Sequence, residues 1–254
     1  MAEHGLPLLF VVAMWFGTTG LVVWLDSRPA STFGRSLGAA GLVAIAAIVA
    51  VALSVRAEGA AAAYLGLGAA LAIWGWHEIS FLTGIVTGPR RAACPPDARG
   101  WDRFRLAAAT LIHHELALAA TLIVLAAISW GHANPTAALA FALLFALRIS
   151  AKLNIFLGVP NFADELMPQH LAYLRSYFRK AGMNPLFPLS MAAAAAAAIW
   201  FGQAALAAEG GRAVANSLLF AIAALGAIEH LFMMIPFRDG ALWRWASRSS
   251  IASE

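Results

Sequence analysis

Charge is what this chain has least of. Of 254 residues, only 12% are charged while 61% are hydrophobic. An average soluble chain carries roughly twice that charged share. Too few charges are present to cover a soluble fold of this size, which excludes a soluble enzyme. The single cysteine, Cys94, excludes an internal disulfide and a Cys-x-x-Cys redox or zinc motif. Only two lysines occur, Lys152 and Lys180, so the last apolar run offers none for a retinal-type Schiff base. No Lys or Arg precedes the first apolar run at Leu6, so a cleavable signal peptide is not expected. No Gly-rich phosphate loop or nucleophile elbow is present either. The formal charge is +4 and the pI about 9.8, but the basic residues sit in the gaps between apolar runs. They read as topology signals, not as a nucleic-acid surface.

What is present in quantity is long apolar runs. Seven approach the ~20 residues needed to span a bilayer: 6–25, 36–55, 61–86, 104–130, 135–157, 186–208 and 213–236. The fold class expected is all-α, one polytopic bundle of seven transmembrane helices over 1–254. No internal repeat of the transporter kind is visible. The Ala-rich stretch 192–198 reads as a close-packing helix surface.

Thirteen of the 17 Lys and Arg residues fall on one side of these spans, among them Arg28, Arg90, Arg91, Arg103, Arg179 and Lys180. Arg56 and Arg212 lie on the other, and Arg148 and Lys152 lie inside the fifth span. The positive-inside rule then predicts a periplasmic N-terminus and a cytoplasmic C-terminus, with Trp243-Arg244-Trp245 as an interfacial anchor. Between the fifth and sixth spans, 158–184 forms a cytoplasmic loop. Pro168 opens a stretch in which Leu171, Leu174 and Phe178 share one α-helical face, predicting an amphipathic helix on the membrane surface.

Ionisable groups inside spans are costly and point to function by default. The third run carries His77 and Glu78, the fourth His113, His114 and Glu115, and the last Glu229 and His230. Arg148 and Lys152, four apart, share a face of the fifth. At 1.5 Å per residue, His77 falls about 13 Å, His114 about 15 Å and Glu229 about 10 Å from the cytoplasmic ends of their runs, with Arg148 and Lys152 at about 13 and 8 Å. Four runs thus place ionisable groups in the cytoplasmic half, and Glu165 and His170 could cap them from the loop.

Three uses of these groups stay open. The acids can pair with Arg148, Lys152 and the histidines as a structural network. They can ligate a metal through His77, Glu78, His114, Glu115, Glu229 and His230, although the adjacent His-Glu pairs lack the Glu-x-x-His spacing of bundle di-metal sites. Or His77, His114 and His230 can serve as axial ligands of a tetrapyrrole, whether haem iron or the magnesium of a chlorophyll. His4 and His132 lie near the outer face and are given no role. Trp74 and Trp76 read as packing, and Asn154 and Asn161 as capping or turn residues.

Several strings carry a family resemblance. Gly75-Trp76-His77-Glu78-Ile79-Ser80-Phe81-Leu82-Thr83-Gly84 precedes Thr87-Gly88-Pro89-Arg90-Arg91. His114-Glu115-Leu116-Ala117 and Ser150-Ala151-Lys152-Leu153-Asn154-Ile155-Phe156-Leu157-Gly158-Val159-Pro160-Asn161 follow, then His170-Leu171, Ser176-Tyr177-Phe178, Leu186-Phe187-Pro188 and Glu229-His230. Together they resemble the PuhE family of photosynthetic complex assembly proteins in bacteriochlorophyll-containing bacteria. The resemblance spans nearly the whole chain. It implies an energy-transducing inner membrane and a role in building the reaction centre and its core antenna through bacteriochlorophyll supply or handling. Reaction-centre or core-antenna subunits and pigment-synthesis enzymes are the implied partners. A Tyr often stands in that family where His113 stands here, which favours His114 over His113 as a ligand. The resemblance supplies no reaction. The alternative is a metal-dependent redox enzyme of bacteriochlorophyll biosynthesis, di-iron or haem, with a transporter of pigment precursors third. The bound group stays open among bacteriochlorophyll or a precursor, haem and iron.

Overall fold

The computed structural model describes residues 2–162, 167–236, 242–243 and 245–246. Its helices are α1 Gly5–Asp26, α2 Phe33–Ser54, α3 Ala60–Leu82, α4 Gly100–Ala108, α5 Ile112–Ser129, α6 Thr136–Leu157, α7 Leu186–Leu206 and α8 Gly210–Phe232. Two 3-10 turns, Ala30–Thr32 and Gln169–Tyr177, accompany them. Among the described residues no strand forms, only a single bridge between Val159 and Lys180. Seven helices, all but the short α4, are long and apolar enough to cross a membrane. The architecture is that of a polytopic membrane helical bundle.

α3 and α8 sit at the centre. Half of the apolar window of each is buried, against about a tenth for α1 and α7 at the periphery. α3 packs on α2, α6 and α8, and α7 packs on α8. Leu67 of α3, Phe141 of α6 and Leu218 of α8 meet in one core with no exposure. The side chains left outside are large and apolar, including Leu42, Leu53, Leu206 and Trp130. In water that surface would aggregate; against lipid it is the favoured one. Small residues decide how closely the central helices approach. At Gly226 of α8 an added Cβ would overlap the Leu147 side chain of α6.

Three expectations need correction. The third span stops at Leu82, not at 86, because a glycine cap ends it there. Gly84 adopts φ 74°, its N–H donates to Phe81 O, and Ile85 N–H donates to Ser80 O. This pair of bonds satisfies carbonyls that a helix end otherwise leaves orphaned. The fourth run, 104–130, is not one helix but α4 and α5, broken at 109–111. Ala109 O accepts from Arg90 N–H instead of continuing the ladder, and Gly88 lies so close to 109–111 that it has no room for a side chain. The loop stretch at 169–177 is a 3-10 turn, so its period is three. Leu171, Leu174 and Tyr177 form the buried face, and Phe178 is only partly buried. That face rests on Phe81 of α3, so it caps the bundle.

The arginines around this cap are structural clamps as well as charges. Arg103 lies 4.1 Å over the Phe156 ring and donates to Phe156 O and Tyr177 O. Arg90 donates to Tyr177 Oη at 2.8 Å and to Ala93 O. Trp243, expected as an interfacial anchor, is buried against α1 and donates to Phe16 O; Trp245 is exposed, and Arg244 lies outside the described residues.

Candidate functional site

α6 organises the polar interior because it carries two polar faces. Arg148 and Lys152 lie one turn apart, and so do Ser150 and Asn154, offset from the first pair by two residues, about 200° around the helix. Each face therefore meets different neighbours.

The first face meets α3 and α5. Arg148 donates to Glu78 Oε2 at 2.8 Å, and Lys152 Nζ donates to Glu115 Oε1 at 2.5 Å. Glu115 lies in the first turn of α5, where the positive end of the helix dipole favours a carboxylate. The two cations and two carboxylates form a two-rung ladder that fastens α6 to both helices. Behind it His77 and His114 stand with ring centroids 6.3 Å apart. His77 Nε2 is 2.9 Å from Thr121 Oγ1 of α5. His114 is fully buried, its ring tilted 39° against that of Phe81 with centroids 4.7 Å apart, and neither of its ring nitrogens has a hydrogen-bond partner.

The helix ends move this cluster from the depths expected. With α3 ending at Leu82, His77 lies about 8 Å from the helix end. His114 lies only about 3 Å inside the start of α5, because the break at 109–111 creates a helix end there. The loop 83–111 and the 3-10 turn close over it: His114 N–H donates to Thr87 O.

The second face meets α7 and α8. His230, 2% exposed, is held at both nitrogens: Nδ1 is 2.8 Å from Gly226 O and Nε2 is 2.8 Å from Ser150 Oγ. A carbonyl can only accept, so Nδ1 carries the proton and the Nε2 lone pair is taken by the Ser150 hydroxyl. Asn154 donates to Ser150 O and Ser190 Oγ. Asn184 donates to Gly158 O and Asn154 Oδ1, and its own Oδ1 accepts from the N–H groups of Leu186 and Phe187 at the start of α7. The sequence signal for this network was the i, i+4 pair Ser150 and Asn154, which reads as ordinary capping when taken alone.

The expected residues therefore divide. The structure brings together His77, Glu78, His114, Glu115, Arg148 and Lys152. It assigns His230 to the separate Ser150 network. Glu229, about 100° further around α8, points outward, where Trp15 Nε1 donates to its Oε1 at 2.7 Å. His170 donates Nε2–H to Leu82 O at 2.7 Å and Arg91 donates to Gly84 O, so both cap the end of α3. His113 is exposed, and Glu165 lies outside the described residues. Among the described residues no three His, Cys, Asp or Glu side chains group to hold a metal ion. His77, His114 and His230 are 3%, 0% and 2% exposed.

Comparison with known proteins adds the family. A protein of Rhodobacter capsulatus, described as an uncharacterized 30.4 kDa protein in the puhA 5' region, is 37% identical over 251 residues, covering 96% of this chain and 91% of that protein. No solved structure matches. The family model described as protein of unknown function DUF3623 matches residues 1–254, and the chain belongs to that family.

Proposed function

We propose that this chain is a multi-pass assembly factor for the photosynthetic reaction centre and its core antenna, of the PuhE type, acting in bacterial inner membrane through bacteriochlorophyll supply. The observation that carries the reading is the relative's place in the 5' region of puhA, a photosynthesis gene. The arginine-rich end, with Arg90, Arg91, Arg99, Arg103 and Arg105 between α3 and α5, supports a cytoplasmic face there and a periplasmic N-terminus.

The cluster of Glu78, Glu115, Arg148 and Lys152 with His77 and His114 is the site we assign to that role. Six ionisable groups confined to three adjoining spans go beyond what anchoring three helices requires. In this reading pigment is handled at the surface of the bundle, and the cluster sets the conformation that presents that surface.

The test is a deletion strain complemented with the wild-type chain or with Glu115→Gln or His114→Ala. Near-infrared absorbance of assembled complex is compared with total extractable pigment. The expected result is depleted complex with normal pigment, restored by wild type and not by either variant. Accumulation of a new pigment intermediate would overturn the reading in favour of a biosynthetic enzyme.

A further inference from the structure

The cations at the arginine-rich end differ from those inside the bundle. Arg148 and Lys152 each meet a carboxylate, whereas Arg28, Arg35 and Arg91 make no ion pair among the described residues. Arg28 and Arg35 bracket Ala30 and Phe33 in the chain, and these two line a cavity together with Arg91. The cavity, about 280 Å³, lies between the α1–α2 connection, the end of α3 and the 3-10 turn. Ala30, Arg91 and His170 are exposed and form its mouth. Thr83 and Leu171, 8% and 2% exposed, close its floor. This is open space that a guest reaches from outside.

We infer that the cavity holds the phosphate head group of an anionic phospholipid from the adjoining leaflet. This goes beyond the assembly role and does not depend on it.

Charge comes first. No Asp or Glu lines the cavity, and a guanidinium stands at its mouth, so the guest is an anion. Arg91 donates from Nη2 to Gly84 O at 2.9 Å, which leaves most of its five N–H donors for phosphate oxygens. The uncapped first turn of α2, beside Ala30 and Phe33, adds the positive end of its dipole to the same field.

Position selects a lipid over a soluble anion. α1 ends at Asp26, α2 begins at Phe33 and α3 ends at Leu82. The cavity therefore sits at the level of three span ends, where the head-group layer of a bilayer lies. Trp24, 40% exposed with the Arg28 guanidinium 4.5 Å over its ring, marks the same boundary. Size and lining agree. The volume falls just below the roughly 300–1,000 Å³ of sites that enclose a whole small molecule, so the site takes a head group and leaves the acyl chains in the bilayer. Ala30, Phe33 and Leu171 offer an apolar wall to the glycerol backbone, a wall that inorganic phosphate cannot use.

The experiment adds short-chain phosphatidylglycerol or phosphatidylcholine to the delipidated full chain in dodecyl maltoside. Native mass spectrometry counts the lipid retained, and a thermal melt reads the fold. One phosphatidylglycerol per chain should be retained in preference to phosphatidylcholine. Arg91→Ala should weaken retention about ten- to a hundredfold, the loss of a charge-assisted hydrogen bond. Arg91 also caps α3, so a second variant separates binding from folding. Ala30→Trp blocks the mouth without removing a hydrogen-bonding side chain, and it should keep the melting temperature while losing the retained lipid. Arg105→Ala, on the exposed face of α4, should retain lipid as wild type does. Equal retention of phosphatidylcholine, an equal loss in Arg105→Ala, or unchanged retention in both Arg91→Ala and Ala30→Trp overturns the inference. Displacement of the lipid by inorganic phosphate also overturns it, in favour of a free-anion site.

Discussion

Removing Glu115 alone should damage the protein more than removing Glu115 and Lys152 together. Lys152 and Glu115 are 22% and 14% exposed at their side chains and paired at 2.5 Å. Glu115→Ala leaves the ammonium without its carboxylate, one helical turn from the like charge of Arg148. Breaking a buried pair in this way costs about 3–5 kcal/mol. The expectation at the low end is a loss of about 3 kcal/mol, or roughly 6–12 °C in melting temperature for a chain of this size. Replacing both partners, Glu115→Leu with Lys152→Met, removes the uncompensated charge and should stay within about 1 kcal/mol of wild type. The assay is reversible unfolding of wild type, Glu115→Leu, Lys152→Met and the double variant in mixed micelles, with Glu115→Ala beside them, followed by far-ultraviolet circular dichroism. A coupling energy below about 0.5 kcal/mol would show that the two side chains act independently and would refute the ladder as a clamp.

Two further outcomes follow from the second network and from the cap. Asn184→Ala should lower stability by about 2–4 kcal/mol in the same unfolding assay, since it strips partners from Gly158 O and from the first N–H groups of α7 in a buried setting. Leu174→Asp should unfold the cap while Phe178→Asp should be mild, read by limited proteolysis of 83–111 and 158–185; equal sensitivity would mean that the 3-10 period does not govern the buried face.

The spans were legible because length and apolar content alone define them; the breaks within them were not. Ala107 to Leu111 reads as continuous helix, and only the tertiary approach of Gly88 and Arg90 interrupts it. Tyr177 and Phe178 are both aromatic, so sequence could not choose between a period of three and one of 3.6 at the cap. In the interior, the spacing of Arg148 and Lys152 was a visible face. Which acid each would meet depends on how α3 and α5 are rotated, and that is set by packing at Leu67, Phe141 and Leu118, which the charged residues themselves do not reveal. His230 looked equivalent to His77 and His114 from residue type and depth. It parted from them because two small polar residues, Ser150 and Asn154, carried little signal against the charges beside them.

The two-faced character of α6 has a consequence for how the chain enters the membrane. Arg148 and Lys152 each oppose insertion of an isolated helix by about 2.5–3.5 kcal/mol near its centre. α6 is therefore a poor stop-transfer segment on its own. The carboxylates that relieve this burden, Glu78 and Glu115, belong to helices synthesised earlier, so they are already in the bilayer when α6 leaves the ribosome. The order of residues along the chain doubles as an order of biogenesis, with acids first and bases after. Exchanging the charges, with Glu78→Arg, Glu115→Lys, Arg148→Glu and Lys152→Glu, would present the bases first and should insert poorly, even though the same pairs of opposite charge would meet in the finished bundle.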